Sequence, residues 1–459
     1  MIERNLGQIA TMIGGELSDE SYKDIRIKGV STDSRTIEEG NLYIPLIGEV
    51  FDGRIFIKES EDKKAGAFLI DRDYQVKSNI SLPYIRVGDT LKALQDLARA
   101  YRKELDIKLI AITGSNGKTT TKDILYEVLR QKYKVNKTNG NLNNEIGVPK
   151  TILSFDEDID IGITELGTDS FGDISLTTSI AKPDIAIITN IGDSHLQNLK
   201  SKEGIFKAKM EIIEGLAYDG VFIYNGDDET IKKELPSYVL SQKTISFGLG
   251  EDVDFKVKEE NTLANMVKFS KDGESYQIGL LGKHNIYNGA CVLLVAKLFG
   301  LTNDEVKRGF ANMKPSLNRG HIIEFSGFDV YDDTYKSNPQ SLRAGLKSAA
   351  LVEGYNSKIA VLGDMLELGE REEELHYEVG LDIDPNDFEY CLFLGRLSYH
   401  TYKAALNNFP KNRVFYFQNK DELIEKLKSL ISKSTLVFVK GSHGMHMNEV
   451  VDAISKLKV

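Results

Sequence analysis

The segment at residues 109–120 constrains the fold of this chain more than any other. Residues 109–113 have the apolar pattern of a buried strand, and residues 121–133 have the pattern of a helix. A loop of the form Gly-x-x-Gly-Lys-Thr joins them. A strand, a glycine loop and a helix in this order predict a layered α/β fold. In such a fold the loop turns bare backbone N–H groups towards an anion.

The loop residues have the chemistry that a nucleoside triphosphate requires. Lys118 can reach the outer phosphates, and the hydroxyl group of Thr119 can coordinate Mg²⁺. The loop is shorter than the standard P-loop, because the first glycine of that pattern would fall at Ile112. An ordinary strand-to-helix turn without a ligand is the alternative. On the phosphate-binding interpretation, the residues that hold the triphosphate are Gly114, Ser115, Asn116, Gly117, Lys118, Thr119 and Thr120.

Composition narrows the possible classes of protein. At 459 residues the chain exceeds what one core usually supports, so two to three domains are expected. The net charge of −11 argues against non-specific nucleic-acid binding. No apolar run is long enough to cross a bilayer and the N-terminus lacks the shape of a signal peptide, so we expect a cytoplasmic protein. Cys291 and Cys391 lie in apolar contexts without metal-ligand spacing, and we expect buried thiols.

Three stretches of the chain differ in pattern. Residues 1 to about 87 have short strand-like pieces, and a helical run at 90–105 follows as an expected linker. From 109 to about 315, strand and helix patterns alternate, which predicts a mainly parallel sheet with helices on both faces. Within it, the section 253–279 predicts an antiparallel hairpin appended to the sheet. Beyond Arg319 a second doubly wound domain is predicted, with strands at 330–331, 359–362, 390–394, 414–417 and 436–439.

Polar residues follow two of the predicted central strands. Glu165 ends the strand pattern 159–164, and His195 comes shortly after the pattern 185–190. The carboxyl ends of parallel strands form the crevice where such sheets bind ligands, so Glu165 could complete a Mg²⁺ site begun by Thr119. The imidazole of His195 could bind a second metal ion or position a phosphate. Taken singly, each could be an ordinary loop residue.

Two candidates lie in helical patterns. Lys209 is a surface lysine by default. Asn288 lies near the start of an apolar helix that Asn285 can cap. The amide of Asn288 could bind the edge of an adenine, although a capping role fits the pattern equally well.

Loops that follow the C-terminal strand patterns carry further candidates. One of the adjacent carboxylates Asp332 and Asp333 is expected to meet a ligand hydroxyl or a cation, unless they form a plain Asx turn. The glycine-bounded segment 363–369 is expected to be a crevice loop. His443 and His446 could clasp a metal, but no third ligand is evident, and we favour a structural role.

Together these segments resemble the Mur ligase family over nearly the whole chain. The likeness rests on residues 31–35, 114–120, 141–149, 190–196, 332–339, 363–369 and 440–442. Folylpolyglutamate synthetases share the arrangement of motifs in the central part. They typically have glycine after the loop lysine, where this chain has Thr119, and they lack a segment like 31–35.

The resemblance implies three α/β domains and an ATP-dependent ligation. A small N-terminal domain (1–87) would bind a uridine nucleotide, a central P-loop-type domain with a mainly parallel sheet (88–316) would bind ATP, and a Rossmann-like C-terminal domain (317–459) would close over the site. Within the family, the likeness is greatest to the enzymes that add D-alanyl-D-alanine to UDP-N-acetylmuramoyl-tripeptide through an acyl phosphate. ATP and Mg²⁺ would be the cofactors, and we expect a monomer without nucleic-acid or membrane partners.

The resemblance also implies roles for the metal and phosphate residues. Lys118 would contact the phosphates, Thr119 and Glu165 would bind Mg²⁺, and His195 would bind a second Mg²⁺. Lys209 falls where related ligases carry a carbamylated lysine, which would turn a cation into a metal-binding anion.

Further roles concern the nucleotide and the substrates. Asn288 would contact adenine, Arg319 the phosphates across the domain gap and Asp333 the nucleoside. The residues that fall where the family contacts its substrates are Ser34, Arg35, Asp52, Asn143, Asn144, Asn338, Lys440 and Ser442, of which the pair 143–144 could instead contact metal.

The chain departs from the family pattern at three places. Residues 166–174 read Leu-Gly-Thr-Asp-Ser-Phe-Gly-Asp-Ile, without the usual Asn-His before Gly-Glu-Ile. The common Tyr-Asn-Ala-Asn-Pro appears as Tyr-Lys-Ser-Asn-Pro at 335–339, and the usual Ser-Arg near the C-terminus is Ser-His at 442–443. The last exchange removes a fixed bidentate cation. Two alternatives therefore stay open: a related ligase for another acid–amine pair, and a nucleotide-dependent binding protein without turnover.

Overall fold

The computed structural model describes residues 1–260, 266–315 and 318–459. The described residues form three α/β regions in chain order, each built on a β-sheet, together with two smaller antiparallel sheets. The expected domain boundary between 316 and 317 lies outside the described residues, as does part of the expected hairpin section 253–279.

The N-terminal region contains short strands and two α-helices. Its elements are β1 (Glu3–Asn5), α1 (Leu6–Ile13), β2 (Glu16–Leu17), β3 (Arg26–Lys28), β4 (Val30–Ser31), β5 (Leu42–Tyr43), α2 (Ile57–Asp62), β6 (Ala67–Asp71) and β7 (Tyr84–Val87). The main sheet has the order β2-β7-β6-β5-β4, and β1 pairs with β3 separately. Strand β6 lies in the middle of the sheet, which is why its residues 67–70 are all apolar and fully buried.

The central region alternates strands and helices as the pattern predicts. Its elements are α3 (Thr90–Glu104), β8 (Lys108–Thr113), α4 (Lys118–Leu129), β9 (Val135–Lys137), α5 (Gly147–Ser154), β10 (Ile161–Glu165), α6 (Asp173–Ala181), β11 (Ile185–Ile188), α7 (Leu196–Leu199), α8 (Lys202–Met210), α9 (Ile212–Gly215), β12 (Val221–Asn225), α10 (Glu229–Glu234), β13 (Lys243–Gly248), β14 (Phe255–Lys256), β15 (Lys258–Glu259), β16 (Val267–Lys271), β17 (Glu274–Ile278), α11 (His284–Leu298) and α12 (Asn303–Asn312).

The seven-stranded central sheet has the order β14-β13-β12-β11-β8-β10-β9, and every pair in it is parallel. Strand β8 lies between β10 and β11, so the chain order changes direction at its C-terminal end. In open α/β sheets this switch point is where ligands bind. The register places Glu165 opposite Ile112 and Ile188 opposite Thr113, so the segments after β10 and β11 flank the glycine loop.

Three local predictions in the central region need correction. Helix α4 begins at Lys118 rather than at 121, because Gly117 adopts φ 81° and lets the helix start directly after the loop. The expected hairpin forms between β16 and β17, but with β15 it makes a separate three-stranded sheet instead of extending the central one. Asn285 does not cap α11, because Lys283 occupies the N-cap position and Asn285 lies inside the first turn.

The C-terminal region is a second open sheet of six strands. Its elements are β18 (His321–Glu324), β19 (Phe328–Asp333), α13 (Pro339–Leu351), β20 (Ser357–Gly363), α14 (Glu372–Leu381), β21 (Tyr390–Leu394), α15 (Ser398–Ala405), β22 (Val414–Phe417), α16 (Lys420–Leu430), β23 (Thr435–Lys440) and α17 (Asn448–Ile454). The order is β18-β19-β23-β20-β21-β22, with β18 antiparallel and the other strands parallel. The five predicted strands are all present, and β18 was missed because it follows directly on the change of pattern.

Helix α3, expected to be a linker, is instead a packed element. It buries Leu94, Leu97 and Tyr101 completely, and the Tyr101 hydroxyl group donates to the carbonyl of Phe155 at 2.8 Å. The helix therefore joins the N-terminal and central regions through one apolar core. Cys291 and Cys391 are buried, as expected. Among the described residues, no helix combines the length and apolarity that crossing a bilayer demands.

Candidate active site

A cleft of about 920 Å³ lies between the C-terminal edge of the central sheet and the C-terminal region. The glycine loop, Glu165 and His195 line one side, and Arg319, Asp333 and Lys336 line the other. The sequence predicted all of these except Lys336, and the structure brings them into one space.

Residues that follow β11 fix the backbone of the glycine loop. Thr189 and Asn190, just beyond β11, hydrogen-bond residues 115–116 of the loop. The Asn190 side chain accepts from the Asn116 N–H at 3.0 Å. A Cβ at Gly114 would lie 1.9 Å from the Thr189 hydroxyl oxygen, so only glycine fits there. No side chain caps α4, and in the described structure the first-turn N–H groups of residues 117–119 have no acceptor. They form a ready anion site.

The Lys118 ammonium group donates to the carbonyl of Gly114 at 2.5 Å, which folds the side chain back over the loop. Burial, and next the charge of Lys336, lower the pKa of Lys118 to about 8. A phosphate placed on the loop would raise the pKa of Lys118 again, because an anion favours the charged form of lysine.

The side-chain oxygens of Thr119 and Glu165 lie together in a buried position beside the loop. The Thr119 hydroxyl group donates to Glu165 Oε2 at 2.9 Å, and the Asn143 amide donates to Glu165 Oε1 at 3.1 Å. Lys122 Nζ lies 3.7 Å from Glu165 Oε2, and burial lowers the pKa of this lysine. The hydroxyl and carboxylate oxygens are the hard donors that Mg²⁺ prefers, so they fit the metal that the loop implies.

His195 is the centre of a second cluster. It adopts φ 55°, a conformation that costs energy for a residue with a Cβ. Its Nδ1 lies 2.9 Å from both Asp169 Oδ1 and Glu367 Oε2, and its Nε2 lies 2.8 Å from Lys336 Nζ. Hydrogen bonding to His195 lowers the pKa of both carboxyl groups. Burial lowers the pKa of Lys336.

The three ligand atoms of Asp169, His195 and Glu367 lie within 4.8 Å of one another, a spacing that could hold a metal ion. Both nitrogens of the imidazole already have partners, however, and the partner on Nε2 is a cation. The expected second Mg²⁺ on His195 stays a prediction, and in this arrangement it would compete with Lys336 for Nε2.

Lys209, taken by default as a surface residue, is buried on α8 with a relative exposure of 2%. Burial, and next the charge of Lys118, hold its pKa well below the ordinary value. Its ammonium group has no hydrogen bond or ion pair among the residues that the structure describes. Burial of this kind favours the uncharged amine form of a lysine.

The C-terminal region contacts the glycine loop directly. Asn338 caps α13 by accepting from Ser341 N–H at 2.8 Å, and its amide group donates to Asn116 Oδ1 at 2.9 Å. Asn116 donates in turn to Gln340 Oε1 at 3.0 Å. The start of α13 therefore holds the loop from the opposite side of the cleft.

Other predicted residues of this region have protein partners. Lys440 is buried, and its ammonium group pairs with Asp333 Oδ2 at 2.5 Å, so the cation expected near the acidic pair is a side chain. The Arg319 guanidinium group stacks 3.7 Å from the ring centroid of Tyr335. Ser442 accepts from the N–H of Leu366 at 2.9 Å and does not line the cleft.

The remaining central candidates are engaged near the loop. Asn288 accepts from the Thr121 hydroxyl group at 3.2 Å and donates to Asn285 Oδ1 at 2.8 Å. Asn144 accepts from the N–H of Gly147 at 2.9 Å at the start of α5. Asn143, Asn144 and Asn288 all line the cleft.

The N-terminal candidates lie away from this cleft. Ser34 is buried, Arg35 is exposed and pairs with Asp33, and Asp52 pairs with Arg54. The hydrogen bonds of Arg35 lower the pKa of Asp33 to about 2. None of these residues is among those that line the cleft.

Sequence reasoning missed Lys122, Lys336, Asp169 and Gln340 as site residues. Lys336 and Asp169 stand inside the two stretches that depart from the family pattern, and that departure was the available signal. Lys122 lies one helical turn after Lys118, where a second cation near the phosphates could have been considered. Gln340 had no signal in the sequence.

Three family models match the chain in succession. They are the Mur ligase family, catalytic domain, over residues 26–102, the Mur ligase middle domain over 112–296, and the Mur ligase, glutamate ligase domain, over 318–443. Similar proteins include the UDP-N-acetylmuramoyl-tripeptide–D-alanyl-D-alanine ligase of Bacillus subtilis, 39% identical over 98% of each chain. The ligase of the same name from Escherichia coli is 32% identical over 99% of each chain.

Solved structures agree with these matches. A crystal structure of MurF from Acinetobacter baumannii has a TM-score of 0.88 at 26% identity and covers all of both chains. MurF from Thermotoga maritima in complex with ADP has a TM-score of 0.79 at 27% identity, covering 94% of this chain and 97% of that one.

Proposed function

The chain belongs to the Mur ligase family, and we propose that it joins D-alanyl-D-alanine to UDP-N-acetylmuramoyl-tripeptide with ATP, a step in peptidoglycan precursor synthesis. The observation that carries the proposal is the buried contact of Thr119 with Glu165 beside the open N–H groups of the glycine loop. Relatives that carry this activity in their names match the chain along nearly their whole length.

ATP and Mg²⁺ are the cofactors. The first-turn N–H groups of α4 and Lys118 bind the phosphates, and Thr119 and Glu165 hold the metal, which neutralises phosphate charge when bound. Arg319 reaches the phosphates across the cleft, Asp333 the nucleoside and Asn288 the adenine. The shared position of these residues on the cleft wall supports their assignment.

The chemistry is amide formation in two steps. The carboxylate of the tripeptide attacks the γ-phosphorus, the bond to the bridging oxygen breaks, and ADP leaves an acyl phosphate behind. The amine of the dipeptide, having lost a proton, attacks the acyl carbon, and phosphate departs. Lys118 offsets the negative charge that develops during phosphoryl transfer.

The acyl phosphate must be protected from water. The contacts of Asn338 and Gln340 with Asn116 hold the C-terminal region against the glycine loop, which supports a closed arrangement during the reaction. A closed site also orients the amine towards the acyl carbon.

The remaining assignments concern the two substrates. Asn338, Lys440 and Ser442 are assigned to the dipeptide, and Asn143 and Asn144 to contacts with the substrate or the metal. Ser34, Arg35 and Asp52 bind the uridine nucleotide, and their location together on the N-terminal region supports this assignment.

Lys209 is carbamylated in our proposal. Its side chain is buried and has no partner among the described residues, and burial favours the uncharged amine, which is the form that reacts with CO₂. The modified side chain would be an anion facing the charges of Lys118 and Lys336.

We place the reaction in the cytoplasm, where ATP is available, and assign it to a monomer. The cleft is lined by residues of one chain from both the central and C-terminal regions, which supports a complete site in a single copy.

Phosphate release tests the function. The full chain is incubated with ATP, UDP-N-acetylmuramoyl-tripeptide and D-alanyl-D-alanine, and each component is omitted in turn. Our proposal requires release that depends on all three. Release with a different amine but not with D-alanyl-D-alanine would assign the chain to another acid–amine pair, and no release with any pair would make it a nucleotide-binding protein without turnover.

A further inference from the structure

We propose that Lys336 supplies the second positive centre of this active site, in the place that a second divalent cation on His195 would otherwise take. The proposal rests on the proposed ligase function, because it concerns the metal ions and positively charged side chains of the same cleft. It predicts that the chain holds one divalent cation together with its nucleotide, on the side of Thr119 and Glu165.

The first step concerns the partners of the imidazole. His195 Nδ1 faces two carboxylates at 2.9 Å, so this nitrogen carries the proton and donates to Asp169 and Glu367. The Nε2 lone pair then accepts from Lys336 Nζ at 2.8 Å. Both nitrogens are therefore used in one consistent tautomer.

The second step excludes a metal on either nitrogen while Lys336 stays. A neutral imidazole offers one lone pair and carries its proton on the other nitrogen. A metal on Nδ1 would move the proton to Nε2, where it would point at an ammonium group that cannot accept it. A metal on Nε2 would need the position of Lys336 Nζ itself.

The third step concerns what holds Lys336 in place. Its backbone carbonyl accepts from the buried Lys440 ammonium group at 2.8 Å, and Lys440 is fixed by its pair with Asp333. Two residues further on, Asn338 bonds Asn116 of the glycine loop. The backbone around Lys336 is therefore fixed to both walls of the cleft.

The charges around Lys336 match those that a metal ion would need. The carboxylates whose charges favour the charged form of Lys336 are Glu367, Asp169 and Glu165, whereas the charges of Arg319 and Lys118 oppose it. A cation is thus already present between the carboxylates of the His195 cluster and the phosphate loop. Because Lys336 belongs to the C-terminal region, its charge reaches the cleft only when that region is closed over the loop.

Counting Mn²⁺ tests the proposal. The full chain is dialysed against Mn²⁺ and the non-hydrolysable analogue AMP-PCP, bound Mn²⁺ and bound nucleotide are measured per chain, and the electron paramagnetic resonance spectrum is recorded. We expect one bound Mn²⁺ and a magnetically isolated spectrum in the wild type. Lys336→Ala should bind two, with the broadened spectrum of a coupled pair, and adding His195→Ala should return the count to one.

Two further variants serve as controls. Lys336→Arg keeps the charge and should stay at one Mn²⁺, as should Lys347→Ala, which removes an exposed lysine on α13 outside the cleft. Two Mn²⁺ on the nucleotide-bound wild type, or one on nucleotide-bound Lys336→Ala, would overturn this inference alone. Failure of AMP-PCP to bind the wild type at all would overturn the proposed function and the inference with it.

Discussion

Single residues in the cleft place like charges close together. Burial, and next the charge of Lys336, lower the pKa of Lys118. Such an arrangement costs stability in the free protein and becomes favourable when an anion enters. The site is therefore built for phosphates rather than for the unliganded state.

Lys118→Ala should lower turnover by at least about 10²- to 10³-fold, because a cation aimed at the developing phosphate charge is lost. The fold should persist, since the ammonium group bonds only a loop carbonyl, that of Gly114, in the described structure. Phosphate release and a thermal unfolding curve measure the two effects. Lys207→Ala, an exposed lysine on α8, is the matched control. Wild-type rates in the Lys118 variant would refute the loop assignment.

At the level of elements, one side chain at the start of α13, that of Asn338, makes two functional contacts. The side-chain oxygen Oδ1 of Asn338 caps the helix, and the side-chain NH₂ group donates to Asn116 across the cleft. A second element, α14, positions a loop instead. His376 on α14 accepts from the N–H of Met365 at 2.9 Å, in the loop that also carries Glu367.

Two substitutions of Asn338 should separate these contacts. Asn338→Asp keeps the capping oxygen but loses the amide donor to Asn116, so it should slow turnover with little loss of stability. Asn338→Ala loses both and should also destabilise the protein by about 1 kcal/mol, the usual cost of an N-cap. Denaturant unfolding and steady-state rates distinguish the outcomes. Equal rates in wild type and the Asp variant would mean that the contact across the cleft has no part in closure.

His376 should make stability depend on pH. Burial lowers its pKa below the ordinary 6.5, so the unfolded chain takes up a proton before the folded chain does. Above pH 6.5 both states are neutral and the residue has no effect. As the pH falls below that value the fold loses stability, until the lower pKa of the folded state is reached.

His376→Gln provides the comparison, because glutamine can also accept from Met365 and donate to Glu372 but does not titrate in this range. The free energy of unfolding, measured between pH 5 and 8, should fall less steeply on acidification in the variant. The same slope in both proteins would remove His376 as the cause.

At the scale of the whole molecule, the cleft joins two sheets that are far apart in the chain. The central sheet contributes the phosphate loop and Glu165, and the C-terminal sheet contributes Arg319, Asp333 and Lys336. A nucleotide in this space contacts both regions, so its binding and their closure are linked. Binding to the folded state alone must then stabilise the protein.

ADP with Mg²⁺, at 100 times its dissociation constant, should stabilise the folded chain by about 2.7 kcal/mol. The midpoint of thermal unfolding should rise accordingly, and hydrogen exchange should slow both in the glycine loop and at the start of α13. Lys118→Ala should need more ADP for the same shift. Protection confined to the central sheet would mean that the nucleotide does not draw the C-terminal region onto the loop.

The sequence by itself determined the α/β class, the phosphate loop, the five main C-terminal strands and the family. Those features depend on neighbours in the chain: apolar periodicity sets the strands, and Gly114 and Gly117 are the residues that the turn before α4 requires. The positions of Glu165 and His195 at the sheet edge followed as well, because parallel strands end on a common side.

Only the tertiary structure decided which side chains meet. His195 and Lys336 are 141 residues apart, and nothing in either local pattern indicates that they touch. The burial of Lys209 and the packing of α3 into a shared core could likewise not be predicted. The sequence pattern of a helical lysine or of an amphipathic helix is the same whether the helix lies at the surface or in the interior. Contacts of this kind depend on how whole sheets pack against each other, and packing is a property of the assembled surfaces rather than of any short segment.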